Sequence, residues 1–310
     1  MIKRETLHIF DLILKQLIRL SSAAMVQFIN GLFGTDHPPD STVEYPNTET
    51  VSRKLRKLMS DTVIIVNGIH AYHIEGEIGS DANIAIRVFE YGFAEALRTK
   101  SATDEEDVIE LRFPSARIIY WETTGKSPDV VTLRLKFPDE SHYDYRVKTF
   151  KFLEHEIREL EERKLAILLP FYVLKLRKRA ATAKTTKRRS ELAAEMKSIL
   201  AELVTAVERS ESSGCMNESD KRMVLEHMER LYRELFAQYK EFTEVDTMLQ
   251  ERILTYSEEA ELRGREEGRE EGREEGKKDM VKGLLNNGVS PDIIARSSGL
   301  SLETVKALMN

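Results

Sequence analysis

Cysteine is nearly absent: Cys215 stands alone in 310 residues. One thiol excludes an intramolecular disulfide and suits a reducing compartment, so the chain is expected in the cytoplasm. Long apolar runs are missing too. No stretch approaches the roughly 20 residues that a membrane span needs, so no membrane partner is expected. The opening residues run Lys3, Arg4, Glu5, His8, Asp11 and lack the basic-then-apolar order of a secretory leader. There is no excess of positive charge: 47 Lys and Arg face 53 Asp and Glu, a net −6. Global basicity therefore recruits no nucleic acid, and any such binding must come from local patches. Aromatics are 7% against 32% charged residues, which points to a charged, helix-rich chain. Its length suits about two domains and a real core.

The most informative stretch is Asp61–Ile78, two apolar β-type runs around Asn67-Gly68. Asn-Gly between such runs is a strong hairpin signal. Acids lie where the first strand begins, Asp61, and where the second ends, Glu75 and Glu77. A hairpin brings those ends together, and three carboxylates there suggest a site for a hard divalent cation. Register decides whether they meet, because side chains alternate along a strand. A two-residue loop puts Asp61 on the face opposite Glu75 and Glu77. An odd loop, Val66-Asn67-Gly68 with Ile65 opposite Ile69, puts all three on one face. The spacing therefore predicts an odd loop or a bulge. The other residues are apolar on both faces, which reads as a central strand pair covered by helices.

Ahead of the hairpin, Phe10, Ile13, Leu14, Leu17 and then Met25, Phe28, Ile29, Leu32 recur at helical spacing, closed by Gly34. His37, Glu44 and Glu49 are further ligand candidates, and Arg53–Lys57 is a basic cluster leading into Asp61. After it, Ser80 or Asp81 is expected to cap a helix of about 17 residues. On that helix Asn83, Arg87 and Tyr91 share a stripe, and Arg87 is suited to hold a phosphate or a carboxylate bidentately. Strands are expected at 116–122, 130–137 and 143–152, giving an α/β layer with a mixed sheet.

From about 150 the pattern turns helical, up to Pro170. Residues 175–189 carry eight Lys or Arg and no acid. Lys175, Arg177, Lys178, Arg179, Lys187, Arg188 and Arg189 are thus candidates for tracking a DNA backbone. Amphipathic helices at about 191–209 and 219–256 are expected to pair. The repeat Gly264-Arg-Glu-Glu, Gly268-Arg-Glu-Glu, Gly272-Arg-Glu-Glu reads as a hinge or marginal helix, since each Gly costs about 1 kcal/mol of helix propensity. Three short helices with a helix-turn-helix rhythm should follow, burying Ile293, Ile294, Leu300, Val305 and Leu308. Three domains result: 1–150, 151–257, and 258–310.

At the hairpin the residues meet a known pattern. Asp61, then Tyr72-His73-Ile74-Glu75-Gly76-Glu77, then Arg87-Val88-Phe89-Glu90-Tyr91, resembles the recombination-promoting nuclease and putative transposase family of the PD-(D/E)XK phosphodiesterase superfamily. The Glu-Glu-Gly repeats and the Leu284–Ala295 segment are similar to that family's usual ending. The resemblance implies a restriction-endonuclease-like mixed sheet flanked by helices, followed by a helical region and a small helical tail. It implies a Mg²⁺- or Mn²⁺-dependent endonuclease acting on DNA, with Asp61 and Glu75 as metal ligands and Glu77 as the third catalytic residue. Glu77 stands where the superfamily has Lys and this family often has Gln. Lys would stabilise charge developing on phosphate, which Glu cannot do. The rival reading is a degenerate nuclease fold serving as a DNA-binding or self-assembly module.

Overall fold

The computed structural model describes residues 4–46, 63–78, 83–99, 101–102, 107–123 and 127–308. Contacts divide the chain into two compact units, 1–251 and 252–310. The boundary expected at residue 150 is therefore not a division between compact units. Its physical reason is the segment Ala166–Leu176, a run of 3-10 turns with Pro170 inside it. Every residue there except Lys175 is buried, so it has no outer face that could border a separate domain. Among the described residues no helix is long and apolar enough to cross a membrane.

In the first unit the periodic N-terminal stretch forms α1 (Arg4–Leu17) and α2 (Ser22–Phe33). Ser21 caps α2, and Gly34 ends it at φ 73°, in the left-handed region where glycine costs least. The Ser21 backbone N–H and hydroxyl both donate to Asp220, tying the start of α2 to a residue 199 positions on. Then come β1 (Val43–Glu44), β2 (Val63–Val66), β3 (His70–Ile78), α3 (Ile84–Arg98), the two-residue strands β4 (Ser101–Ala102) and β5 (Ile109–Glu110), β6 (Ser115–Glu122), β7 (Val130–Lys136) and β8 (His142–Lys151). The caps expected at Ser80 and Asp81 lie outside the described residues. The result is α/β with a six-stranded mixed sheet of order β1-β2-β3-β6-β8-β7. β3, β6 and β8 run parallel at its centre, while β2 and β7 pair antiparallel beside them.

The hairpin loop is odd. Val63 pairs with His73 and Val66 with His70, leaving Asn67-Gly68-Ile69 as the turn, one residue later than the expected Val66-Asn67-Gly68. Asn67 at φ 53° and Gly68 at φ 69° supply the left-handed pair, and the Ile69 N–H donates to the Val66 carbonyl at 3.3 Å. Ile69 is consequently a loop residue, 78% exposed, not part of the buried strand face.

Each face of the sheet is covered by a different set of helices. On one, Leu14 of α1 and Trp121 of β6 close over Gly76, and Trp121 stacks on Phe171 at 3.8 Å. On the other, Ile84 and Val88 of α3 pack with Ile118, Tyr120 and Val147.

The helical continuation differs from its periodicity. After β8 a 3-10 turn (Phe152–Glu154) and α4 (Ile157–Glu162) form before Lys164, at φ 61°, breaks the helix. α5 (Arg177–Thr182) and α6 (Thr186–Ser212) follow. The expected helix 219–256 is interrupted: α7 is Glu218–Phe236, and the next helix, α8, is Thr243–Asn286. The break turns Phe242 back onto Phe236 at 4.9 Å, and the Tyr232 hydroxyl donates to the Phe242 carbonyl at 2.7 Å.

The Gly-Arg-Glu-Glu repeat is helical throughout α8. In the second unit α9 (Pro291–Ser298) and α10 (Leu302–Ala307) enclose Val281, Ile294 and Val305, with Leu300 and Leu308 against them. Ile293 is left 53% exposed, one position out of phase with that core.

Candidate functional site

β3 lies inside the sheet, between β2 and β6, and its alternation assigns each residue a face. Residues directly opposite in a ladder share a face. Val63, Ile65, Ala71, His73, Glu75 and Glu77 therefore look one way, with Ile118 and Tyr120. That is the face beneath α3. The polar stripe of α3 meets it there. Arg87 Nε lies 3.1 Å from Glu75 Oε1, and Arg87 Nη2 donates to Glu77 Oε2 at 2.9 Å. Both carboxylates are largely enclosed, 16% and 13% exposed at the side chain. One guanidinium thus neutralises two acids two residues apart on one strand.

Tyr91, one turn beyond Arg87, closes the same corner. Its ring meets His73 edge-on at 5.6 Å. Burial, and then the charge of Glu75, raise the Tyr91 phenol above its ordinary value, so it stays a neutral hydroxyl. His73 is fully buried, with Nε2 3.6 Å from Glu75 Oε2, and neither ring nitrogen makes a hydrogen bond. From sequence alone His73 carries no assigned role. The available signal was its even spacing from Glu75, which places it on the acidic face of the strand.

Of the residues singled out from the sequence, Glu75, Glu77, Arg87 and Tyr91 come together. Asp61 lies outside the described residues, as do Glu49 and the Arg53–Lys57 cluster. Glu44 is on β1, opposite Ile65. His37 Nε2 hydrogen-bonds the Tyr72 hydroxyl at 2.5 Å, and Tyr72 belongs to the other face of the sheet. Among the described residues no group of three or more His, Cys, Asp or Glu is arranged to hold a metal. Two enclosed carboxylates facing one cation have the oxygen-donor chemistry of a hard divalent ion, which fills its remaining positions with water or other ligands.

The basic segment is extensively paired. Arg177 grips Glu122 through three contacts of 2.7–2.8 Å, and Lys178 joins it at 3.0 Å. Arg179 pairs with Glu195 and Arg188 with Glu191. Lys175 reaches Glu156 and the Tyr172 hydroxyl, and Arg189 lies over the Tyr239 ring. The acids that answer this acid-free stretch come from β6, the turn before α4, and α6. Lys187 is exposed.

Comparison with family models, with curated proteins and with solved structures finds no match to this chain.

Proposed function

We propose that this protein is a metal-dependent DNA endonuclease of the PD-(D/E)XK kind, working at the β3–α3 face. The observation that carries the reading is the alternation along β3: Glu75 and Glu77, two residues apart, share one face of an inner strand and are enclosed beneath a helix, in keeping with the Glu75-Gly76-Glu77 part of the resemblance. On this reading the sheet and its flanking helices are the restriction-endonuclease-like core.

Asp61 and Glu75 would hold Mg²⁺ or Mn²⁺. The ion supplies Lewis-acid polarisation of a phosphate and a water of lowered pKa. Glu77 would orient a water at the site and serve as the group that accepts its proton. Arg87 keeps the two carboxylates from repelling each other until a stronger cation or a phosphate competes for it. His73 and Tyr91 wall the acidic side chains from solvent and fix their rotamers. DNA is the proposed partner, with Lys187 and its basic neighbours meeting the backbone electrostatically.

One observation favours the rival reading of a degenerate core used for binding or self-assembly: Arg87 already sits on both acids. Calorimetric titration with MnCl₂ separates the two. The nuclease reading expects saturable binding that Glu75→Gln abolishes. No heat from the wild-type chain at millimolar Mn²⁺ supports the module.

A further inference from the structure

The opposite face of the sheet carries a second cluster that the nuclease reading does not use. Arg117 alternates with Ile118 on β6, so it points away from α3 and the acidic pair. It enters a cavity of about 430 Å³ at the end of α2, lined also by Phe33, Phe150, Lys151, His155 and Arg163. The Arg117 guanidinium lies 5.3 Å over the Phe33 ring, and that of Arg163 lies 5.0 Å over Phe150. Arg163 donates to the Gly31 carbonyl at 3.3 Å and stands 3.8 Å from Glu159.

Arg117 differs from several guanidiniums of this unit, and shares with Arg189 a buried Nε that makes no hydrogen bond. Arg134, Arg177, Arg179 and Arg209 each grip a carboxylate with two nitrogens. Arg117 has no ion pair among the described residues, and its Nε is buried without a hydrogen-bond partner. The cavity's own acids do not answer it. Asp129 is taken by Lys151 at 2.7 Å, and Glu154 also faces Lys151. His155 is held by Glu159 at 2.6 Å and stacked on Phe150. Burial and the nearby charge of Arg163 both disfavour the Arg117 cation. A half-buried guanidinium with no acid paired to it, beside a second one, is disfavoured in the free protein, and an anion between them offsets that.

We propose that this cavity binds a phosphate-bearing anion, held by Arg117 and Arg163. Guanidinium is the side chain best matched to phosphate oxygens, and the two rings hold both planes in place before the ligand arrives. The volume is in the range of small-ligand sites, enough for orthophosphate or a mononucleotide. The phosphate can come from a free nucleotide or from the 5′ end of a DNA strand.

The test is calorimetry and thermal melting of the full chain in EDTA, which keeps the outcome independent of any divalent ion at Glu75. The probes are sodium phosphate against sodium chloride at equal ionic strength, adenosine 5′-monophosphate, and one oligonucleotide with and without its 5′-phosphate. The expected result is a rise in melting temperature with at least one phosphate probe. Arg117→Met, which keeps the stem against Phe33, should weaken that binding at least tenfold while melting no lower than wild type without ligand. Selective binding of the 5′-phosphorylated strand would name the DNA end as the source, and binding of the mononucleotide would name the free nucleotide. The proposal is overturned if no phosphate probe binds the wild-type chain, or if binding survives both Arg117→Met and Arg163→Met. Should Arg117→Met not fold by circular dichroism, the wild-type titration and Arg163→Met decide in the same way.

Discussion

Arg87 bridges Glu75 and Glu77, reaching one through Nε at 3.1 Å and the other through Nη2 at 2.9 Å. Two carboxylates on adjacent same-face positions of a strand repel each other, and enclosure strengthens that repulsion. Arg87→Ala should lower stability by about 1–3 kcal/mol, below the cost of breaking a fully buried pair because Arg87 is 36% exposed. If the acids are a cation site, Mn²⁺ should restore much of that loss, raising the melting temperature of Arg87→Ala more than that of wild type. Equal shifts in the two proteins would show that the ion does not replace the guanidinium.

Glu122 ends β6 with its side chain 7% exposed, gripped by Arg177 and Lys178. Glu122→Ala leaves Arg177, 18% exposed, without its carboxylate, and should cost about 3 kcal/mol in chemical denaturation. The double replacement Glu122→Leu with Arg177→Met should recover most of it, because the unpaired charge is gone. A double variant as unstable as Glu122→Ala would mean that packing, not charge, sets the cost.

Gly76 separates the two acids on β3. A Cβ at this position would come within 2.7 Å of Trp121 Nε1 and 3.2 Å of Leu14 Cδ2. Since the indole is stacked on Phe171, it has little room to give. Gly76→Ala should destabilise by about 1–3 kcal/mol and quench or shift the fluorescence of Trp121, the sole indole in the chain. An unchanged melt with an unchanged spectrum would refute the close packing.

His227 on α7 is 9% exposed, and burial, then the charge of Arg230, push its imidazole down to about 4 from an ordinary 6.5. The unfolded chain therefore takes up this proton at higher pH than the folded one. The stability it contributes is complete above pH 6.5 and is lost as pH falls toward 4. With solvent screening at its rim, the loss should be on the order of 1–2 kcal/mol. Melting temperatures between pH 7 and pH 4.5 should fall less steeply for His227→Gln than for wild type. Parallel slopes would remove His227 from the acid response.

Much of this architecture can be read from local rules. Gly34, Gly288 and Gly299 stop helices in the left-handed conformation, and Ser21 and Ser301 cap them, as their residue types dictate. The hairpin loop is odd, as its spacing leads one to expect, but lies one residue later than expected, at Asn67-Gly68-Ile69. What local rules miss are partners distant in sequence. Nothing beside Phe242 announces that it folds back onto Phe236. Nothing in the acid-free stretch 175–189 shows that Glu122, 55 residues away from Arg177, will neutralise it. The site was legible where its residues are neighbours on β3 and α3. His73 is not singled out by sequence because a histidine among apolar residues reads as ordinary core until its burial beside Glu75, without a hydrogen bond to either ring nitrogen, is seen. The Gly-Arg-Glu-Glu repeat is helical against the per-residue propensity of its glycines.

The most direct test of the nuclease reading is nicking of supercoiled plasmid by the purified chain in Mn²⁺ or Mg²⁺. Conversion to open circles should require the ion and fall at least a hundredfold in both Asp61→Ala and Glu75→Gln, each shown to be folded by circular dichroism. No nicking by wild type across millimolar concentrations of either ion, or nicking that persists undiminished in both variants, would contradict it.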